Sequence, residues 1–295
     1  MSAQPELAVE ERPPVDVVLP ERQTVPAVFA SPHSGSDYPP EFVAQSRLRF
    51  PVLRRSEDSF VDELFGAAPR YGAPLVRALF PRAFVDPNRE PFELDPQMFE
   101  DELPAYVNTV SPRIAAGLGT IARVVSNGED IYARRLHFSE AKRRIDNYYR
   151  PYHDTLRELL ASTRARFGVC LLVDCHSMPS IGGPMERDAG RGRVDFILGD
   201  CHARSCSAVI IDGAESVLRG LGYAVARNTP YSGGFATQHY GRPADGMHAL
   251  QIEVNRALYM EEAAIARGPG LAALAARLET LIQALGKIAA EIARA

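Results

Sequence analysis

Two short apolar runs, each followed directly by a histidine segment, constrain the fold of this chain most. Residues 25–30 lead into Ser31-Pro32-His33-Ser34-Gly35, and residues 169–173 lead into Asp174-Cys175-His176-Ser177. Each run has the length and composition of a buried β-strand. In an open α/β sheet, ligands bind beyond the carboxyl ends of the strands. We therefore expect the two imidazoles to lie there, well placed to share a metal ion.

Strand-like and helix-like segments alternate along the whole chain. Besides the two runs, strands are predicted over residues 75–85, 195–198, 223–227 and 248–254, and helices over 58–71, 139–167 and 201–221. Pro151 should kink or divide the second of these helices. Alternation of this kind, without an internal repeat, predicts one α/β domain with a three-layer architecture.

The two ends of the chain are expected to differ from its middle. Residues 1–24 are predicted to be a flexible tail, and residues 25–295 a single α/β hydrolase domain with alanine-rich helices from about residue 258. The first 15 residues contain acidic side chains and prolines and no apolar h-region. They therefore do not resemble a secretory signal.

Composition excludes several classes of partner. The chain has 33 Lys and Arg against 37 Asp and Glu, a formal charge of −4, whereas a nucleic-acid-binding protein usually has a basic excess. No stretch approaches the ~20 consecutive apolar residues of a membrane span. The four cysteines do not form a CxxC pair, and buried cysteines such as Cys170 and Cys175 are typical of reduced thiols in a cytoplasmic protein.

The strand predicted over residues 248–254 has an unusual polar face. Gln251, Glu253 and Asn255 share one face, because side chains alternate along a strand. A central strand covered by helices is normally apolar on both faces. The polar face therefore either lines a cavity or belongs to an edge strand in contact with water. If it lines a cavity, Glu253 is placed as a general base for a metal-activated water.

A catalytic zinc site typically has three protein ligands and an open position for water. His33 and His176 supply two ligands, so a carboxylate should supply the third. Asp37 follows His33 in the same loop, and Asp58 opens the predicted helix, where its side chain could instead cap the helix. Such a donor set accepts Zn²⁺, Co²⁺, Mn²⁺ or Fe²⁺.

Several residues are candidates for contact with a substrate. Asn88 and Arg89 follow a predicted strand, and a guanidinium can bind both oxygens of a carboxylate. Arg144 either has the same role or forms a surface salt bridge on its helix. His239 and Arg242 follow a glycine-rich loop and precede the polar-faced strand. The partner that these residues predict is a small anionic molecule.

Six ordered segments resemble the N-formylglutamate amidohydrolase (deformylase) family. They are Ser31-Pro32-His33-Ser34-Gly35, Asp86-Pro87-Asn88-Arg89, Tyr149-Arg150-Pro151-Tyr152-His153, Asp174-Cys175-His176-Ser177, His239-Tyr240-Gly241-Arg242-Pro243 and the stretch from His248 to Met260. The resemblance extends from about Val25 to Met260. This family is related in fold to the zinc exopeptidases and to aspartoacylase-type deacylases.

The resemblance implies a mixed, mainly parallel sheet between helix layers and a zinc–water mechanism in amino-acid metabolism such as histidine degradation. It implies that His33 and His176 are zinc ligands, that Glu253 is the base, and that Asn88-Arg89 resembles the substrate clamp of the deacylases. The exopeptidase pattern has its acidic ligand three residues after the first histidine, where this chain has Ser36. The carboxylate must then come from Asp37 or Asp58, and we favour Asp58.

The expected reaction is hydrolysis of N-formyl-L-glutamate, or a related short N-acyl amino acid, to the amino acid and formate. The metal and a nearby cation such as Arg89 would stabilise the developing oxyanion. The sequence leaves two alternatives open. One is a deacylase or carboxypeptidase-like hydrolase of a larger acyl or peptidyl substrate, and the other is an inactive binding module with the same fold.

Overall fold

A seven-stranded sheet forms the centre of the protein. The computed structural model describes residues 13–184, 186 and 188–294. The strands are β1 Val15–Val18, β2 Ala27–Ser31, β3 Leu75–Ala78, β4 Cys170–Met178, β5 Phe196–Gly199, β6 Val225–Arg227 and β7 Met247–Asn255. Their order across the sheet is β1-β3-β2-β4-β7-β5-β6.

The sheet is mixed and mainly parallel, as the sequence predicts. β3, β2, β4 and β7 are parallel neighbours, and β5 pairs with β6 in parallel. Among the described strands of this sheet, only β1 with β3, and β5 with β7, pair in antiparallel fashion. The longest pairing joins β4 to β7, and it places His176 opposite Glu253. The polar-faced strand is therefore central in the sheet, which excludes the edge-strand alternative.

Helices cover both faces of the sheet and complete the predicted three layers. In the described ranges they are α1 Pro40–Gln45, α2 Phe50–Leu53, α3 Val61–Leu64, α4 Pro112–Ala115, α5 Phe138–Arg144, α6 Arg150–Phe167, α7 Ala208–Gly220, α8 Phe235–Tyr240 and α9 Leu271–Ile292. Leu172 of β4 packs with Leu156 of α6 in one core. Its neighbour Leu171 packs on the opposite face with Ile210 of α7 and Leu278 of α9.

The face of the sheet beneath α6 changes from apolar to polar along the central strands. In β4 the change runs from Leu172 to His176, and in β7 from Ala249 to Glu253. Residues two or four apart on a strand share one face, so these polar side chains continue the apolar face beneath α6. They are buried in a position where an apolar residue would otherwise complete the core, and this indicates a functional cavity at the carboxyl ends of the strands.

Two predicted segments are shorter or more ordered than the sequence suggests. The predicted helix over 201–221 begins only at Ala208, because Cys201, His202 and Ala203 have positive φ values of 53°, 57° and 64° and form a turn. The predicted flexible tail over 1–24 is wrong for Val15–Val18, which pair with β3 as an edge strand. Residues 1–12 of that tail lie outside the described residues, and the division into domains remains a prediction.

Two predicted helices are interrupted. The helix expected over 58–71 contains only α3 and a 3₁₀ turn at Ala68–Tyr71, although Gly72 ends it as expected with a φ of 81°. The helix expected over 139–167 is divided by a π-helical segment at Ile145–Tyr149. Pro151 lies just after this segment and has no N–H to donate to the preceding turn, so the helix is divided near Pro151, as the sequence predicts.

The C-terminal part contains one long helix, α9, rather than several. It follows a small hairpin of β8 Met260–Glu261 and β9 Ala266–Arg267. No helix in the part of the chain that the structure describes combines the length and apolarity that a membrane span requires. The four cysteines are free and buried, as the sequence predicts for Cys170 and Cys175.

The tight loop after His33 provides a test of this packing. A Cβ added at Gly35 would lie 2.3 Å from the Phe80 carbonyl oxygen and 2.6 Å from that of Ala78. We expect Gly35→Ala to lower the free energy of unfolding by about 1–3 kcal/mol, the usual cost of overpacking. Gly220→Ala is the control, because nothing lies within 4 Å of that Cβ and alanine favours a helix. Urea denaturation measures both, and equal stability of G35A and the wild type would contradict the packing.

Candidate active site

Two buried histidines lie side by side at the carboxyl ends of neighbouring strands. His33 follows β2 and is 1% exposed, whereas His176 belongs to β4 and is 3% exposed. Their ring centroids are 4.8 Å apart. Because β2 and β4 are adjacent and parallel, their carboxyl ends meet at one edge of the sheet. The structure therefore brings together the two imidazoles that the sequence placed at strand ends.

Asp58 is the carboxylate that lies between these imidazoles. Its Oδ2 is 3.2 Å from Nδ1 of His33 and 3.0 Å from Nδ1 of His176. The ligand atoms that the three residues offer all lie within 4.8 Å of one another, so this buried cluster could hold a metal ion. Asp37, the other candidate, is exposed at the surface. The Asp58 side chain does not cap α3, whose N-cap residue is Phe60.

Each imidazole faces a second buried carboxylate through its other ring nitrogen. Nε2 of His33 lies 2.7 Å from Asp86 Oδ1, and Nε2 of His176 lies 2.9 Å from Asp174 Oδ1. The carboxylate of Asp86 accepts but does not donate, so it favours the tautomer of His33 with hydrogen on Nε2. The lone pair of His33 Nδ1 is then directed toward Asp58. Outer carboxylates of this kind orient histidine ligands in metal sites.

The charges around the cluster favour an additional cation. Burial raises the pKa of Asp58, but hydrogen bonds with His176 and His33 outweigh it and hold that pKa well below its usual range. Burial lowers the pKa of His176, but Asp174 and Asp58 outweigh it and raise that pKa well above its usual value. The surrounding carboxylates thus stabilise positive charge between them. A divalent ion bound by two imidazoles and a carboxylate meets this requirement, and the donor set is of the kind that zinc uses.

Glu253 lies on β7 directly beside His176 of β4. The two residues are paired across the strands and share one face, and Glu253 is 6% exposed. Gln251, on the same face, donates a hydrogen bond from Nε2 to Glu253 Oε1 at 2.9 Å. Burial raises the pKa of Glu253 to about 7, with His176 acting in the opposite direction. A carboxyl group with such a pKa can accept and release a proton near neutral pH.

Two arginines that the sequence analysis did not select hold the carboxylates of the site. Arg82 donates to Asp86 Oδ2 at 2.7 Å. Arg256 donates to Asp58 Oδ1 at 3.1 Å and to the Glu57 carbonyl oxygen at 2.6 Å, so the other oxygen of Asp58 remains directed at the histidines. Their spacing in the sequence could have indicated both arginines, since Arg82 precedes Asp86 by four residues and Arg256 follows Glu253 by three.

The loop that carries Asp86 and Arg89 is held by the region around the π-helical segment. Tyr149 donates its hydroxyl hydrogen to the Arg89 carbonyl oxygen at 2.9 Å. Nε2 of His153 lies 2.8 Å from the Pro87 carbonyl oxygen, which can only accept, so that nitrogen carries the hydrogen. Burial lowers the pKa of His153 to about 4 and keeps the ring neutral. A π-helical turn beside a candidate site agrees with the frequent occurrence of such turns at functional sites.

Asn88 and Arg89 line the cavity, as the sequence predicts, but both are also held by the protein. Asn88 Oδ1 accepts from the Ala236 amide at 2.8 Å, and its Nδ2 lies 3.0 Å from His176 Nε2. Arg89 donates from Nε to the Leu118 carbonyl oxygen at 2.8 Å. Burial lowers the pKa of Arg89 to about 10, which still leaves the guanidinium charged at neutral pH. Asn88 therefore positions the site, and Arg89 presents a fixed positive charge to the cavity.

Three predicted substrate contacts lie elsewhere, so the structure corrects them. Arg144 is buried against aromatic rings and donates to the hydroxyl oxygen of Tyr132 at 2.6 Å. His239 is exposed on α8 and stacks on Phe235. Arg242 precedes β7, about 20 Å along the strand from Glu253 at ~3.3 Å per residue. These three residues are near other candidate site residues in the sequence but not in the fold.

The site opens into a cavity of about 500 Å³, within the range of small-molecule sites. Its charged and amide lining residues include His33, Asp58, Arg82, Asp86, Asn88, Arg89, Arg113, Asn127, His176, Glu186, Gln251, Glu253 and Arg256. All three residues of the His–Asp–His cluster belong to this lining, and so does Glu253. The cavity therefore joins a possible metal site, a titratable carboxyl group and several cations.

Fold and site together define an α/β/α protein with a buried His–Asp–His cluster beneath a polar cavity. Residues 25–260 match the N-formylglutamate amidohydrolase family, and the chain belongs to that family. It is 30% identical over 249 residues to an N-formylglutamate deformylase of Pseudomonas putida, covering 81% of this chain and 83% of the relative. The corresponding protein of Pseudomonas aeruginosa is 30% identical over 247 residues, with 82% and 85% covered.

Solved structures agree with this assignment. An N-formylglutamate amidohydrolase from Ralstonia eutropha JMP134 superposes with a TM-score of 0.83 at 38% identity, covering 95% of this chain and 97% of that one. A gene product of Agrobacterium tumefaciens, at 19% identity, superposes with a TM-score of 0.69 and covers 95% and 96% of the two chains. The second likeness concerns the fold alone.

The choice between the two aspartates can be tested by metal binding. We expect Asp58→Asn to weaken zinc binding by more than the roughly 10–100-fold that is typical of a residue that only supports a ligand. Asp37→Asn is the matched control and should bind zinc as the wild type does, because Asp37 is exposed and lies outside the cluster. Competition with a chromophoric chelator measures the affinity. Normal zinc binding by D58N together with weak zinc binding by D37N would show that Asp37, and not Asp58, is the carboxylate ligand.

Proposed function

We propose that this protein hydrolyses N-formyl-L-glutamate to L-glutamate and formate, and that it depends on a divalent metal ion, Zn²⁺. The observation that carries the proposal is the arrangement of His33, Asp58, His176 and Glu253 in one cavity. The activity named for relatives that share 30–38% of the sequence over most of its length supports the choice of substrate.

The three-residue cluster would hold the metal through Nδ1 of His33, Nδ1 of His176 and a carboxylate oxygen of Asp58. When bound there, zinc supplies Lewis-acid activation of water and polarisation of the formyl oxygen. Asp86 fixes the orientation of the His33 imidazole, and Arg256 fixes that of Asp58. The chain's own residues thus prearrange the site.

Glu253 would act as the general base and then as the general acid. Its carboxylate removes a proton from the attacking water, and the water oxygen forms a bond to the formyl carbon. The C–N bond then breaks, and Glu253 returns the proton to the departing nitrogen. The products are formic acid and the free amine, and the acid then gives its remaining proton to the amine, so that formate and the ammonium group of glutamate are released. Gln251 holds Glu253 in place through both steps.

Arg82 is better placed than Arg89 to stabilise the developing oxyanion. Nη2 of Arg82 lies 2.7 Å from Oδ2 of Asp86, whereas Nη2 of Arg89 lies 3.6 Å from the same oxygen. Arg82 is therefore bound more closely to the carboxylate that contacts His33. Arg89 donates hydrogen bonds to the carbonyl oxygens of Leu118 and Asn88. We assign to Arg89 the binding of the substrate's α-carboxylate. We assign stabilisation of the oxyanion to Arg82, whereas the sequence suggested Arg89.

Replacement of the base separates catalysis from metal binding. We expect Glu253→Gln to retain the metal and to reduce kcat by about 10²–10⁴-fold, the usual contribution of a general base. In the wild type, kcat/KM should fall as the pH falls, because protonated Glu253 cannot accept a proton. The pKa of about 7 is an upper limit for this transition, since a bound cation lowers it. Loss of metal from E253Q would make Glu253 a ligand instead.

The direct test of the function is formate release from N-formyl-L-glutamate. The purified protein is assayed as isolated, after chelation, and after zinc is restored. We expect release that disappears on chelation and returns with zinc. N-Acetyl- and N-succinyl-glutamate, assayed in parallel, test the alternative of a larger acyl group. A protein that contains zinc but releases no formate would contradict the proposed substrate.

A further inference from the structure

The cavity of about 500 Å³ contains four arginines, and three of them are held by the protein. Arg256 has acceptors on Ser177, Glu57 and Asp58. Arg82 is bound to Asp86, and Arg89 to two carbonyl oxygens. These three have functions in the site as described above. The fourth arginine, Arg113, has no function in that account.

Arg113 lies on α4, and its side chain is one-third exposed. Among the described residues, its charged neighbour at salt-bridge distance is Glu93, whose Oε2 lies 3.8 Å from Nη1 of Arg113. At that distance the contact is an ion pair without a good hydrogen bond. The donors of the guanidinium therefore remain available to a ligand in the cavity.

A short segment connects Arg113 to Arg89. The Leu118 amide donates to the Arg113 carbonyl oxygen at 2.8 Å, and the Leu118 carbonyl oxygen accepts from Nε of Arg89 at 2.8 Å. After burial and the charges of Asp86 and Arg82, the charge of Arg113 is a further influence on the pKa of Arg89. Both guanidiniums line the same cavity, so an anion bound there is attracted by both positive charges.

We propose that Arg113 binds the second carboxylate of a dicarboxylate substrate, while Arg89 binds the first. The inference rests on the proposed function, and it makes N-formyl derivatives of acidic amino acids the preferred substrate class. N-Formyl-L-glutamate carries two carboxylates, and a guanidinium matches the geometry of each. Arg113 is then the residue that distinguishes a glutamate side chain from a neutral one.

A purely structural role would require Arg113 only to neutralise Glu93. Glu93 is buried, and its Oε2 has no hydrogen-bond partner among the described residues. Loss of Arg113 would then disturb the loop around residues 86–120 and weaken the turnover of every substrate alike. A role in specificity instead weakens only the turnover of substrates whose side chain is charged. This difference can be measured.

The experiment compares N-formyl-L-glutamate with the nearly isosteric, neutral N-formyl-L-glutamine. For Arg113→Gln we expect kcat/KM to fall about 10- to 100-fold with the first substrate, as for the loss of a charge-assisted hydrogen bond. With the second it should change by less than about threefold. Arg113→Lys should recover part of the lost kcat/KM, because lysine restores the positive charge but not the planar pair of N–H donors of a guanidinium.

Arg123→Gln is the matched control. Arg123 has a similar exposure and pairs with Asp95 at 3.1 Å, but it does not line the cavity. We expect it to leave the ratio of the two substrates unchanged. Equal losses with both substrates in R113Q would overturn the inference while leaving the proposed function intact. Failure of the wild type to release formate from N-formyl-L-glutamate would overturn both.

A second measurement does not depend on any variant. Glutarate and its monoamide are compared as competitive inhibitors of the wild-type metal-loaded protein. Glutarate should bind at least about tenfold more tightly, because only glutarate offers a carboxylate to both Arg89 and Arg113. Equal inhibition constants would contradict a second carboxylate site, even if the R113Q variant did not fold.

Discussion

Burial of negative charge around two histidines is the constraint on which the rest of this structure depends. Asp58, Asp86, Asp174 and Glu253 are each at most 6% exposed and lie in one part of the sheet. Burial of a single ion costs several kcal/mol unless partners and hydrogen bonds compensate it. Arg82 and Arg256 provide part of the compensation, and a divalent ion at the His–Asp–His cluster would provide the remainder. The arginine contacts, the imidazole orientations and the buried amides all follow from this requirement.

The sheet topology meets the requirement with few residues. Parallel β2, β4 and β7 end at the same edge, so Arg256 comes within 3.1 Å of Asp58, 198 positions earlier in the chain. The α6 face of β4 and β7 is apolar near the strand starts and polar near their ends. One continuous face can thus serve both the core and the site. Tyr149 and His153, at the start of the helix that covers this face, also hold the loop that carries Arg89.

The sequence allowed the strands, the positions of the two histidines and the polar face of β7 to be predicted, because each depends on local periodicity. His176 and Glu253 illustrate this, since alternation alone assigns each to a face. The turn at Cys201 and the π-helical segment were missed because they depend on tertiary packing and on unusual backbone angles. Arg144 was misplaced for the same reason. Its spacing on a helix did not reveal that Phe84 and Tyr132 enclose it.

The most direct test of the account is the position of the metal. Crystals grown with one equivalent of zinc, and measured on both sides of the zinc absorption edge, would locate it by anomalous scattering. The account predicts one peak about 2.0–2.1 Å from Nδ1 of His33 and from Nδ1 of His176, and about 2.0–2.2 Å from an Asp58 oxygen. A peak bound through Nε2, or one that has Glu253 in place of Asp58, would contradict it.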